Sequence, residues 1–313
     1  MPSTLIPQLK PLLAPTGIRT LYDAPIGEMT WYKTGGRASA LCYPASESEL
    51  YSLISLAGNH NIPIYILGSG ANLLVLNQGV QGIVISLDSP PWKTYTVNNN
   101  VLTVKAGYDL MKLIHETAKL GLAGLEPLAG IPASIGGAIC MNAGGTFGEI
   151  GTHITRVRTM SAAGQIQDIA KDDLQFKYRS TNITDPFILE ADFLLTSADP
   201  SALRAKVKEI FDYKKNAQPM ADRSAGCTFK NPPQPPEGAQ CATYKPAGQL
   251  IDESNLKGFR IGTAEVSTVH ANFIAVDRDN PNADDVAAVI DHVQKAVLEK
   301  VGIQLQREVI IWP

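Results

Sequence analysis

GLEPLAGIPASIGGAICMNAGG, residues 124–145, holds six glycines, two prolines and a single charged side chain, Glu126. The run is too interrupted for an ordinary helix and too rich in glycine for an ordinary strand. It is also too apolar for a flexible linker, which would carry more Ser, Lys and Glu. Bare backbone at this density has two readings. Either the chain packs against itself at a tight corner between sheet and helix, or main-chain groups approach a large ligand that side chains would obstruct.

A second backbone-rich stretch, GSGAN at 68–72, follows the apolar segment IPIYILG (62–68). Successive N–H groups in such a turn form a cradle for an anion. Residues 68–73 read GSGANL, so the order G-x-G-x-x-G is absent and a Rossmann fingerprint is not supported. Taken alone, GSGAN reads as a plain tight turn. Two such loops in one region, nearly free of charge, suit a diphosphate attached to a flat aromatic ring.

Composition narrows the classes. A chain of 313 residues suggests two domains. With 27 basic against 30 acidic residues and a net charge of −3 there is no broad basic surface, so nucleic acid is not an expected partner. No apolar run approaches the roughly 18 residues that cross a bilayer. MPSTLIPQLKPLLAP at the start lacks the basic head, apolar run and small-residue cleavage site of a signal peptide. The expected address is cytoplasmic, with no membrane partner. Cys42, Cys140, Cys227 and Cys241 form no C-x-x-C pair, so free thiols are expected, with no disulfide framework and no metal site.

Periodicity gives the organisation. SESELYSLISLAG (46–58) opens on a Ser cap and places Leu50, Leu53, Ile54 and Ala57 on one helical face. IPIYILG reads as a buried strand and GVQGIVISL (79–87) as another. TYTV and VLTVKAG around the polar NNN at 98–100 read as a hairpin, and DLMKLIHETAKLGL (109–122) as a helix that starts at an Asp cap and ends at Gly121. After the bare stretch, ITRVRTM, GQIQDIA, FKYRS and FILEADFLLT read as strand segments. The helix PSALRAKVKEIFDYKK (200–215) reads as a bridge to a second part, with a helix after AGQLIDESN, strands through TAEVSTVHANFIAV, a helix over 283–300 and a final strand QLQREVIIW. PPQPPEG (232–238) reads as a surface loop. The class is α+β.

Eight motifs occur in one order: YKTGGRA (32–38), YILGSGANLLV (65–75), the 124–145 stretch, FKYRS (176–180), GCTFKNP (226–232), AGQLIDESNLKG (247–258), VHANFIAV (269–276) and REVIIW (307–312). Together they resemble the UDP-N-acetylenolpyruvoylglucosamine reductase (MurB) family, from about residue 28 to the C-terminus. The resemblance implies an FAD-binding domain of the PCMH/vanillyl-alcohol-oxidase type over residues 1–198, with its core at about 30–198. A smaller α+β substrate-binding domain would follow over 199–313, its final strand returning to the active site. It implies noncovalent FAD, NADPH as hydride donor, and a UDP-sugar substrate for peptidoglycan synthesis. A monomer is expected. KYRSTNITDPF runs straight into FILEADFLLT, which resembles the shorter form of the family, without the tyrosine-bearing insertion.

The resemblance also implies roles. Gly68, Ser69, Gly70, Ala71 and Asn72 would hold the diphosphate. Gly130, Ile131, Pro132, Ser134, Gly136, Gly137, Asn142 and Gly144 would run along the ribityl chain and isoalloxazine. Arg179 matches the arginine that stabilises the enolate, and Glu308 the glutamate that assists at the same centre. Cys227 stands where the family usually has the serine that protonates C2, and a thiol is a stronger acid than an alcohol. Lys215, Asn231, Gln249 and Asn272 match positions around the substrate. Tyr244 is a candidate to cover part of the site, and Lys33, Arg37, Arg156 and Arg223 are undivided candidates for phosphate contact. Each residue also has a structural reading: Arg179 in a salt bridge, Glu308 on the solvent side of a strand, Cys227 as an inert buried thiol. The rival functions are another FAD oxidoreductase of this fold and a catalytically silent flavin- or nucleotide-binding module.

Overall fold

The computed structural model describes residues 4–233 and 245–313. Tyr244, Cys241 and most of the proline-rich stretch lie outside the described residues. The chain separates into two compact units that do not divide it at one point: the first is residues 1–24, 38–69 and 81–214, the second 25–37, 70–80 and 215–313. The linear division at 198/199 therefore gives way to an interleaved one.

The first unit contains helices α1 (Ile6–Leu13), α2 (Glu47–Asn59), α3 (Leu110–Leu120), α4 (Ile135–Cys140) and α5 (Pro200–Ala217) up to Lys214. Its two main sheets run Arg19–Ala24, Ala38–Tyr43, Val80–Ile85, Ile64–Ile66, and Ile166–Ala170, Ile154–Met160, Phe187–Leu194, Val101–Lys105, Tyr95–Asn98. Local chemistry accounts for the helix ends. Ser46 accepts from Glu49 N at 3.2 Å and Asp109 accepts from Lys112 N at 2.7 Å, each satisfying an N–H that the first turn leaves open. Gly121 closes α3 with φ 74°, where a side chain would be strained. Leu110, Leu113 and Ile114 of α3 join Val104, Ile139, Phe193 and Ile210 in one core, while Leu50 and Leu53 of α2 join Leu9, Ile83 and Leu189 in another.

Three expectations change here. The bare stretch does contain a helix, the six-residue α4, held by burial of Ile135, Ala138 and Ile139 despite two glycines. IPIYILG forms only a three-residue strand, at a sheet edge among the described residues, with Ile66 38% exposed. And α5 is no bare bridge: Leu203, Val207 and Ile210 bury into the first unit's core.

The second unit holds α6 (Ala247–Glu253), α7 (Ala283–Val301), and an antiparallel sheet of Arg260–Ile261, Ala264–Val266 and Ile274–Val276. Asn282 caps α7 by accepting from Asp284 N at 2.9 Å. Val286, Val289, Ile290, Val293 and Val297 recur at helical spacing and are fully buried, each contributing about 1.5–3 kcal/mol against exposure. The final strand is shorter than expected, Ile310–Trp312, and lies parallel to Leu73–Val75 in the register Ile310↔Leu73. That pairing is why 70–80 belongs to this unit.

Candidate active site

The two backbone-rich loops meet within the first unit. A Cβ on Gly68 would lie 2.8 Å from the Ser134 hydroxyl, and Ser134 in turn caps α4 by accepting from Gly137 N at 3.3 Å. In the second unit Gly70 has φ 69°, and a Cβ there would fall 2.9 Å from the Met29 carbonyl. Among the described residues, none of the N–H groups of Gly68, Ser69, Gly70, Ala71 and Asn72 meets an acceptor. Consecutive open N–H groups suit an anion rich in oxygens.

The glycines of 124–145 divide into two groups. Gly136, Gly130 and Gly144 are bare because protein fills the space: a Cβ would meet Ala106 Cβ at 3.1 Å, Lys214 Cδ at 3.1 Å and Glu149 Cβ at 2.6 Å. Gly137 would meet only the Ser134 hydroxyl, at 3.2 Å, and Gly145 nothing within 4 Å. Both readings of the stretch are therefore realised, at different residues. Gly137 and Cys140 form an exposed face of α4 one turn apart, so backbone is open there to a flat ligand. Glu126 is buried, accepts from Gly124 N at 2.7 Å and sits 3.4 Å from Lys206 Nζ, which fixes the corner where the stretch begins.

Arg179 lies at the tip of the hairpin Phe176–Lys177/Ser180–Thr181, in the register Lys177↔Ser180. It is half-buried, sits 5.1 Å from the Tyr178 ring centre, and has φ 53°. A non-glycine residue held in the left-handed region is strained backbone of the kind found at functional sites. Lys214, on α5, is 8% exposed and donates to the Ala129 carbonyl at 2.6 Å. Burial, reinforced by the nearby Arg179 charge, pushes its ammonium down to about 8. Lys214 and Arg179 thus lie close enough for their charges to interact, an arrangement that favours a bound anion. Lys215, the sequence candidate, is exposed.

In the second unit one run of backbone bonds joins four candidates. Cys227 pairs with Phe273, Thr228 N donates to Asn272 O at 2.7 Å, and Glu308 N donates to Thr228 O at 2.8 Å. Asn72 Nδ2 donates to Glu308 O at 3.0 Å, and Ile310 N to Asn72 O at 3.1 Å. Cys227 and Glu308 are half-buried. Glu308 precedes the final strand, next to Arg307, whose guanidinium reaches Asp291 and Gln294. Asn231 accepts from Ala247 N at 3.0 Å, at the start of α6, and Gln249 donates to Glu253 one turn on at 2.9 Å. Among the phosphate candidates, Arg223 donates to the Arg278 carbonyl at 3.0 Å. Arg156 is excluded: Asp192, Glu190 and Asp168 surround it at 2.5–2.6 Å and raise its pKa.

Two family models match the chain: "FAD binding domain" over residues 38–170 and "UDP-N-acetylenolpyruvoylglucosamine reductase, C-terminal domain" over residues 218–312. The UDP-N-acetylenolpyruvoylglucosamine reductase of Levilactobacillus brevis is 36% identical over 94% of this chain and 93% of its own length. The chain belongs to the UDP-N-acetylenolpyruvoylglucosamine reductase family. A Symbiobacterium thermophilum reductase of that name is 35% identical over 92% of this chain and 90% of its own. The crystal structure of the Thermus caldophilus reductase superposes with a TM-score of 0.76 at 32% identity, covering 95% of this chain and 99% of that one.

Within this reductase family the cofactor is FAD, and the residues fit it: a row of open N–H groups at 68–72 for a diphosphate and uncovered backbone at Gly137 and Gly145 for a ring. Sequence reasoning missed Lys214. Its signal is helical phase, since Leu203, Val207, Ile210 and Lys214 share the buried stripe of α5 while Lys215 does not. It also missed that Asn142 and Asn272 turn their amides to protein backbone. Asn142 is fully buried, its side chain donating to Lys177 O and accepting from Gly151 N.

Proposed function

We propose that this chain reduces UDP-N-acetylglucosamine enolpyruvate to UDP-N-acetylmuramate, with NADPH as donor and noncovalent FAD, in peptidoglycan precursor synthesis. The observation that carries this reading is the match over 218–312, because that segment holds Cys227, Asn272 and Glu308 in one backbone ladder. An FAD-binding domain common to other oxidoreductases supplies none of these.

FAD, when bound, would supply the hydride chemistry that links NADPH to C3 of the enolpyruvyl group. The open N–H groups of Gly68–Asn72 would hold the diphosphate, and the backbone at Gly137 and Gly145 would leave room for the ring. As hydride arrives at C3, negative charge grows at C2 and on the adjacent carboxylate. Arg179 binds that carboxylate through two parallel N–H donors. Cys227 Sγ–H delivers a proton to C2. Glu308 assists at the same centre, and solvent restores the proton to the thiolate. Lys214 adds positive charge that is present below about pH 8. Lys215, Asn231, Gln249 and Asn272 are retained as substrate-side positions, Asn272 through the backbone it holds.

No helix among the described residues is long and apolar enough to cross a membrane. A cytoplasmic monomer that binds no nucleic acid is part of the proposal, consistent with the balanced charge. Mass spectrometry after incubation with NADPH and UDP-N-acetylglucosamine enolpyruvate tests it. The product should gain one hydride and one proton, with deuterium from solvent at C2. Unchanged substrate would refute the assignment.

A further inference from the structure

We infer that Asn142 is a positioning residue for Arg179, acting through the hairpin that carries it rather than on the flavin. This rests on the reductase reading above. Asn142 follows α4 within the glycine-rich stretch and has φ 41°, a conformation that Asn tolerates better than most side chains. Its amide is fully buried and has one partner at each end. Nδ2 donates to Lys177 O at 3.0 Å and Oδ1 accepts from Gly151 N at 3.1 Å.

Lys177 is the last residue before the two-residue tip that holds Arg179, so this bond fixes the tip's entry point. Gly151 completes the clamp. A Cβ there would lie 2.4 Å from the Phe176 ring, so the missing side chain lets Phe176, beside Lys177, seat directly against it. The far end of the hairpin is tied separately: Asn182 Oδ1 accepts from Gln175 N at 2.8 Å and Nδ2 donates to Asp173 O at 2.7 Å. A two-residue pair of strands with strained backbone at its tip is not stable by itself. Asn142 supplies the contact from the cofactor-binding stretch, and it makes the placement of Arg179 depend on the placement of 130–145.

The test uses the flavin-loaded protein and four variants. Asn142→Gly keeps the left-handed backbone and removes the amide. Asn142→Asp keeps the acceptor for Gly151 and removes the donor to Lys177. Arg179→Ala and the double variant Asn142→Gly/Arg179→Ala complete a cycle. Amide hydrogen exchange should quicken at residues 177–181 in both Asn142 variants. Flavin reoxidation by the enolpyruvyl substrate should slow about tenfold or more beyond any slowing of reduction by NADPH, the scale expected when a catalytic group is misplaced by an ångström. The double variant should be no slower than Arg179→Ala alone, because Asn142 then has nothing left to position. Multiplying losses, equal slowing of both steps, loss of flavin, or unchanged reoxidation would each overturn the proposal. If the native protein itself is not reoxidised, the reductase reading fails, and unchanged hairpin exchange would separately remove the clamp.

Discussion

Asn272 and Phe229 exchange two hydrogen bonds: Phe229 N donates to Asn272 Oδ1 at 2.9 Å, and Asn272 Nδ2 donates to Phe229 O at 2.8 Å. The amide completes a pairing that backbone alone leaves open, two residues from Cys227. Asn272→Asp keeps the acceptor and replaces the donor with a second oxygen facing a carbonyl. The variant should lose about 1–3 kcal/mol at pH 7, the cost of a buried polar group left unmatched. The loss should shrink as pH falls, because a protonated carboxyl can donate again. Urea midpoints at pH 7 and 5 measure this; a pH-independent loss would contradict it.

Gly137 and Gly136 are neighbours with opposite reasons for being bare. Gly136→Val drives a side chain into Ala106 and should lower the melting temperature of the flavin-free protein. Gly137→Val meets only the Ser134 hydroxyl, at 3.2 Å, and should leave that temperature within a few degrees while lowering flavin per chain. Equal flavin retention in both would remove the ring from this face of α4.

Cys227 is the proton donor of the proposed mechanism. Cys227→Ser should keep substantial turnover, since an alcohol in the same place can still give a proton, whereas Cys227→Ala should stall after flavin reduction. Deuterium delivered to C2 at the native rate by the alanine variant would assign the proton to another group.

Lys214 links binding and stability to pH with a definite sign. Its folded value is about 8 against an ordinary 10.5, so between these two the unfolded chain holds more protons than the folded one. Its contribution to stability therefore rises with pH across that window. Native protein should gain on Lys214→Met in melting temperature from pH 8 to 10, while KM for the anionic substrate rises as the charge is lost. A constant difference across the window would mean that Lys214 does not titrate there.

Much of this was readable from local pattern. The caps Ser46 and Asp109 announce α2 and α3, and the apolar spacing through Val286–Val297 announces α7. α4 is hidden because its own glycines oppose it, and the Ser134 cap and burial of Ile135, Ala138 and Ile139 sustain it. The interleaved units are hidden too, since residues 70–80 join the second unit by pairing with Ile310–Trp312 at the other end of the chain. Arg179, Cys227 and Glu308 stand out by motif. Lys214 needs the helical phase of α5 to be told from Lys215. No pattern along the chain shows that the Asn142 and Asn272 amides face backbone.

The most direct measurement is an anaerobic absorbance experiment in two additions. NADPH should bleach the flavin, and UDP-N-acetylglucosamine enolpyruvate should then restore the yellow colour, with Arg179→Ala slowed chiefly in the second addition. Bleaching with no substrate-dependent recovery would contradict the reductase assignment and leave an oxidoreductase of another substrate. Absence of bleaching in flavin-loaded protein would contradict NADPH as the donor.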